Sequence, residues 1–176
     1  MSRSANGTIE RTPEGGVIRF KRSLPFPIDQ VWTAITDPAR LADWWPPFAA
    51  DITVDLREGG RIVFTWPDTE FPTLEFTIVH LEVPTLLEHT HTSPGSWMRW
   101  ELTATADGTE LLATYFVPEL DKALERGDLV GLHHSLDRLE PALAGRPTAW
   151  DNDAAVELRA RYAAVPGSVR APTTRQ

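Results

Sequence analysis

The side chains with the most chemical reach sit in one short run, LLEHTHT, where strict alternation puts Leu87, His89 and His91 on a single face of a strand. Two imidazoles so spaced could act as a general acid and base, or as two ligands of a metal in a His-x-His pattern. The ordinary alternative is a pair of hydrogen-bonded wall histidines that only set local polarity. A metal would need a third ligand. Glu88 faces the wrong way by alternation and His133 is the best remaining candidate, so neither a metal nor any other cofactor is expected. His133 and its neighbour His134 lie about 100° apart on a helix. His133 then faces the sheet, as a core histidine or a ligand contact, and His134 is left to solvent. Tyr115 shares a strand face with Leu111 and Ala113, and either offers its hydroxyl to a ligand or finishes the core. Asp68 and Glu70 fall in a hairpin loop where they could gate a cavity mouth. The WWPPF cluster at 44–48 either plugs one end of a cavity or presents an apolar patch to a partner.

These residues need a sheet and a covering helix to bring them together, and the periodicities supply both. Residues 17–24 (VIRFKRSL) alternate apolar with basic side chains, a half-buried strand. Ile28, Val31, Trp32 and Ile35 then recur at helical spacing, with Pro27 at the first turn and Asp37–Pro38 as a stop. ARLADWW reads as a second short helix ended by Pro46 and Pro47. Strand-like runs follow: ITVDL, RIVFTW, LEFTIVHLEV, LLEHTHT, SWMRWELTAT and TELLATYFV, separated by Gly, Pro and Asp turns. In RIVFTW, Ile62, Phe64 and Trp66 share a face. In SWMRWELTAT, Met98, Trp100 and Leu102 point inward and Arg99 and Glu101 outward. The pattern gives about seven antiparallel strands. After Pro118 the period changes: Leu129, Leu132, Leu136, Leu139 and Leu143 mark one long amphipathic helix stopped by Gly145, with Pro141 bending its last turn.

The predicted units are a flexible arm at 1–16, one domain at 17–145, a helical extension at 146–166 and a disordered tail at 167–176. A chain of 176 residues suits one domain. Its formal charge of -8 works against phosphate backbones, so no nucleic-acid partner is expected. The absence of cysteine removes disulfides and thiol chemistry and fits a reducing, cytoplasmic setting. No apolar run is long enough for a membrane span, and none resembles a signal peptide. Nucleotide-loop, dinucleotide, zincin and hydrolase-elbow motifs are missing. Seven tryptophans are many for this length, and such rings either fill a core or line a pocket.

Pro27-x-x-x-Val31-Trp32, TDPARLADWW, DLREGGRI, EVPTLLEHT, DGTELLATY and GLHHSLDRLEPALAG stand in an order that resembles one family. It is the family of homologues of the activator of heat-shock protein 90 ATPase, within the helix-grip superfamily of START and birch-pollen-allergen-like domains. The resemblance implies an α+β helix-grip fold: a curved antiparallel sheet wrapped on a long C-terminal helix, with two short helices after the first strand. It also implies a cavity between sheet and helix that takes small hydrophobic or amphipathic molecules. On that comparison Phe64, Trp66, Leu87, His89, His91, Met98, Trp100, Tyr115, Leu132, His133 and Leu136 become the candidate ligand-binding residues, with none assigned to catalysis. The sequence departs from the family where Gly131 is followed by Leu132 instead of a usual Trp, which leaves more room, and where His89 and His91 replace aromatic residues. A binding protein is the leading expectation. A cyclase- or dehydratase-like enzyme using the histidines and a co-chaperone stimulating an ATPase by surface contact are the alternatives. The helix near 151–164 is available for a homodimer contact.

Overall fold

The computed structural model describes residues 5–164, so the tail expected at 167–176 lies outside the described residues. The chain opens with β1 (Thr8–Thr12), in the segment expected to be a loose arm. Its backbone pairs antiparallel with β2 (Gly15–Leu24), Thr12 opposite Gly15 across a tight turn. Polar side chains hid this strand from a hydrophobicity reading. An edge strand with a mostly solvated face needs little apolar content to satisfy its backbone. Among the described residues the strands are therefore eight rather than about seven.

Two short helices follow, α1 (Ile28–Thr36) and α2 (Pro38–Leu41). Pro27 caps α1, and the Asp37 side chain accepts hydrogen bonds from the amides of Ala39 and Arg40 to start α2. Then come β3 (Asp51–Val54), β4 (Arg61–Thr65), β5 (Leu74–Glu82), β6 (Leu86–Thr90), β7 (Trp97–Thr105) and β8 (Gly108–Val117). They join one open antiparallel sheet in the order β1-β2-β8-β7-β6-β5-β4-β3. Register carries a row of inward residues straight across it: Ile18 opposite Tyr115, Tyr115 opposite Met98, Met98 opposite His89, and His89 opposite Ile78. A bulge between Ile78 and His80 bends β5 next to His89.

The helix predicted as one continuous element is two. α3 (Leu120–Arg126) ends at Gly127, whose φ of 98° lies in the left-handed region, and α4 (Asp128–Leu143) starts anew from it. Leucine spacing alone did not show this break, because a glycine can be tolerated within a helical pattern as well as end it. Gly127→Ala is expected to cost about 1–2 kcal/mol, the penalty for an L-residue in that conformation. A urea denaturation midpoint unchanged in the variant would contradict this.

Helix α4 lays Leu129, Val130, Leu139, Ala142 and Leu143 into the buried layer. Near its C-terminus, Gln30 and Arg40 donate to the carbonyls of Leu143 and Ala142 at 2.8 and 3.4 Å, tying the two short helices to it. Finally α5 (Asn152–Ala163), capped by the Asp151 side chain, packs on α4 through buried Leu158 and Tyr162. No helix among the described residues is long and apolar enough to cross a membrane.

Tryptophan takes both of its expected roles. Trp32, Trp44 and Trp100 are buried in the core, Trp45, Trp66 and Trp150 line a cavity, and Trp97 lies on the outer face under the Arg99 guanidinium.

Candidate functional site

The hollow part of the molecule lies between the sheet and the start of α4, a cavity of about 380 Å³. Phe64, Leu74, His91 and Tyr115 line it from the sheet side, with Trp66 just beyond β4. Gly127, Asp128, Gly131, Leu132 and Ser135 line it from the helix side, and Trp45, Pro46, Pro47 and Trp150 close the flank. A larger depression of about 840 Å³ between the end of β2, α4 and α5 is rimmed by charges of both signs, including Arg22, Asp137, Glu140, Glu157 and Arg161. The mainly aromatic and aliphatic cavity fits a small-molecule site better.

Three bonds hold the tryptophan flank in place. The buried Arg138 guanidinium donates to the carbonyls of Trp44 and Pro46 at 2.9 and 2.7 Å, and the Ser135 hydroxyl donates to that of Trp45 at 3.0 Å. Trp44, fully buried, donates its indole N–H to the Ala34 carbonyl, and its ring meets Trp100 edge-on. Trp45 packs on Trp100 with ring centroids 4.8 Å apart and faces both His89 and His91. Of the two roles open to the WWPPF cluster, plug and exposed patch, Trp44 and Trp45 take the plug.

That plug divides the predicted site. Phe64, Trp66, His91, Tyr115 and Leu132 line the open cavity. Leu87, His89 and Trp100 lie behind Trp45 around a void of only about 10 Å³, which is core. A space that size is at the lower limit for one water. Met98 is buried beside them and lines neither the cavity nor this void. Leu136 lines the charged depression instead. His133, fully buried, bonds through Nδ1 to the Tyr162 hydroxyl at 2.7 Å and meets the edge of Phe20, so it stays outside the cavity lining. His134, expected in solvent, is buried. Its Nε2 accepts from the Asp151 amide at 3.0 Å, and Trp150 covers its ring. The loop after α4 folds back over this helix face, a tertiary event that spacing within α4 could not announce.

His89 and His91 have different surroundings. His89 Nδ1 lies 2.7 Å from the Thr90 carbonyl, and its Nε2 accepts the Trp100 indole N–H at 3.1 Å. These two partners require the neutral tautomer with the proton on Nδ1, and burial pushes the pKa down to about 4. Both nitrogens are thereby committed. His91, one residue past the end of β6, keeps a buried Nδ1 with no partner among the described residues. Burial first, then the nearby His89 and Arg126, push it down to about 3. Among the described residues no cluster of three His, Cys, Asp or Glu side chains is arranged to hold a metal ion.

The polar end of the cavity is a hydrogen-bonded chain that sequence reasoning missed. Arg126 grips Asp128 at 3.0 and 2.7 Å through Nε and Nη2, and Nη2 also reaches the Ser93 hydroxyl. Tyr115 donates its hydroxyl to Asp128 Oδ2 at 3.0 Å. Burial, then the Asp128 charge, push the tyrosine up to about 12, so its oxygen stays protonated. The sequence signal was the Arg-Gly-Asp step at 126–128: a glycine that ends one helix and starts the next puts Arg126 in the last turn of α3 and Asp128 in the first turn of α4. Asp68 and Glu70, on the exposed β4–β5 loop, do not line the cavity, but Phe71 from that loop packs on Phe48 and Trp66 at its edge.

An open antiparallel sheet covered by a C-terminal helix, with a hollow between them, defines a helix-grip protein. The chain belongs to the Activator of Hsp90 ATPase homolog 1-like protein family, whose sequence model matches residues 25–144. A comparison with curated proteins finds no match. Among solved structures, the crystal structure of CalU16 from Micromonospora echinospora is similar with 26% identity and a TM-score of 0.67, covering 90% of this chain and 94% of that one. A conserved protein of unknown function from Enterococcus faecalis, EF2215, gives 20% identity and a TM-score of 0.71, with coverage of 89% and 88%. The solution structure of an AHSA1-like protein from Aeromonas hydrophila gives 20% and 0.63, with coverage of 73% and 92%.

Proposed function

We propose that this protein binds a small, largely apolar molecule in the cavity between sheet and α4 and holds it without transforming it. The observation that carries this reading is the half-open cavity of about 380 Å³ between the sheet and α4, lined by Trp45, Phe64 and Trp66. Apolar ligand surface buried there would contribute about 25 cal/mol per Å². The engagement of both His89 nitrogens favours a structural histidine over an acid–base catalyst. A second reading, surface contact with a chaperone ATPase, draws on the family's name and on the exposed pair Phe48 and Phe71.

The binding reading is tested with the neutral fluorophore N-phenyl-1-naphthylamine. Wild-type protein is expected to give saturable enhancement, and Leu132→Trp, which fills the cavity, to weaken it at least tenfold with the melting temperature retained. Absence of saturable enhancement, or equal affinity in the variant, overturns the cavity as the site. Retained fluorophore binding in Leu132→Trp that is lost in a Phe48→Ser, Phe71→Ser variant favours the exposed pair instead.

A further inference from the structure

We infer that residues 149–151 form a proton-released gate on the cavity, with Trp150 as its leaf and His134 as its latch; the inference rests on the cavity-binding reading. Neutral His134 holds the gate shut, and a proton on its Nε2 lets it go.

The gate lies outside the family match, which ends at residue 144. Residues 144–149 are all exposed, and Trp150 is half-buried where it closes one flank of the cavity. Two anchors bound the moving part. Arg138 Nε donates to the Thr148 carbonyl at 2.9 Å, and α5 is seated through buried Leu158 and Tyr162. Between them lie Ala149, Trp150 and Asp151. Trp150 donates its indole N–H forward to Asn152 Oδ1 at the start of α5, a bond that ties the ring to neither the sheet nor α4. Its ring meets that of His134 edge-on, with centroids 4.3 Å apart. The Asp151 amide donates to His134 Nε2 at 3.0 Å. One imidazole thus holds both the ring and the backbone of the leaf.

The chemistry of that bond makes the latch conditional. A ring nitrogen accepts a hydrogen bond only through its lone pair, so the closed gate needs the neutral tautomer with the proton on Nδ1. A proton on Nε2 turns the acceptor into a donor, sets N–H against N–H and leaves the Asp151 amide without its partner. The groups facing His134 are His133, Asp137 and Arg138 on its own helix and Asp151 on the gate. Arg22 of β2, Glu140 of α4, Arg146 of the loop, and Glu157 and Arg161 of α5 line the same depression as His134. Burial, then Arg138, outweighs the attraction of Asp137 and Asp151 and holds His134 below histidine's usual range. The Asp151 carboxylate is also engaged: it caps α5 by accepting from the amides of Asp153 and Ala154, and turning toward the imidazolium would cost the helix that cap. A charged ring is better solvated once the leaf swings out and water enters. Protonation and opening therefore favour each other, and opening grows as pH falls below about 6.5, the value of a solvated histidine.

Two readouts separate the latch from the cavity. The first is the protection factor of the Asp151 amide in hydrogen exchange, which needs no ligand. The second is stopped-flow release of N-phenyl-1-naphthylamine, which is neutral at both pH 7.5 and pH 5.5. His89 and His91, pushed down to about 4 and about 3, also stay neutral in the fold over this range. From pH 7.5 to 5.5 wild-type protein is expected to lose about fivefold or more of the Asp151 protection and to release the fluorophore faster by a similar factor. His134→Gln, whose side-chain oxygen still accepts from the amide and does not titrate, should show neither change. Trp150→Ala should release faster than wild type at pH 7.5 and no faster still at pH 5.5. Protection that is constant in wild type, or that falls equally in His134→Gln, overturns the latch. Protection that falls while release keeps its rate overturns Trp150 as the leaf, and so does a Trp150→Ala protein that releases as slowly as wild type. If the fluorophore does not bind, the cavity reading has failed and the gate falls with it, whatever the amide does. Wild-type protection at the two pH values decides the latch even where a variant does not fold.

Discussion

Arg138→Met is expected to lower the unfolding free energy by about 3 kcal/mol, because it strips the hydrogen-bond donor from carbonyls that stay buried. The guanidinium donates to Trp44, Pro46 and Thr148 and is itself buried, with burial pulling its pKa down. Among the described residues no carboxylate is bonded to it, and these three partners are all peptide oxygens. Methionine relieves the desolvation of the cation but supplies no donor, and an unmet buried carbonyl costs roughly 1–3 kcal/mol. The consequence extends beyond stability. Two of these carbonyls, those of Trp44 and Pro46, flank Trp45, so the variant should also weaken N-phenyl-1-naphthylamine binding several-fold. Urea denaturation and the fluorophore titration read the two effects separately. A variant as stable as wild type would show that Arg138 is not the clamp, and Arg138→Lys, with fewer donors, should fall between the two.

Acid should weaken the fold through His89 in a definite window. The unfolded chain takes up a proton near pH 6.5, whereas the folded protein refuses it until about pH 4. Between those values the unfolded state binds more protons, so stability falls as pH falls. It is fully present above pH 6.5 and levels off below about 4, and the difference corresponds to roughly 3 kcal/mol for this group. His91 adds a contribution of the same sign, since it too is depressed by burial, to about 3. Denaturation curves at pH 7.5, 5.5 and 4.0 on wild type and His89→Asn isolate the effect. Asn can still donate to Thr90 and accept from Trp100, and it does not titrate. The variant should lose less stability between pH 7.5 and 4.0 than wild type by about 3 kcal/mol. Parallel losses in the two proteins would mean that His89 is protonated in the fold at ordinary acidity.

Much of the architecture was legible because it is written locally. Alternation placed Phe64, Trp100 and Tyr115 on inward faces, and each is inward or lines the hollow. Prolines and glycines divided the strands, and the spacing of Leu129, Leu136, Leu139 and Leu143 marked a buried helix face. These patterns are enforced by the two-residue and 3.6-residue periods of the backbone, which any sequence segment must obey.

Tertiary structure alone decided which inward residues meet empty space. Leu87, His89 and Trp100 share their face with His91, yet Trp45 fills the space before the first three and leaves His91 beside the cavity. Trp45 comes from a loop more than forty positions earlier in the chain, and its position depends on Ser135 and Arg138 of a helix ninety positions later. Likewise the polarity of His134 was set by the loop at 150–151, and the Arg126–Asp128–Tyr115 chain by the break at Gly127. A residue's face follows from its own segment, whereas a cavity is a property of what distant segments fail to fill.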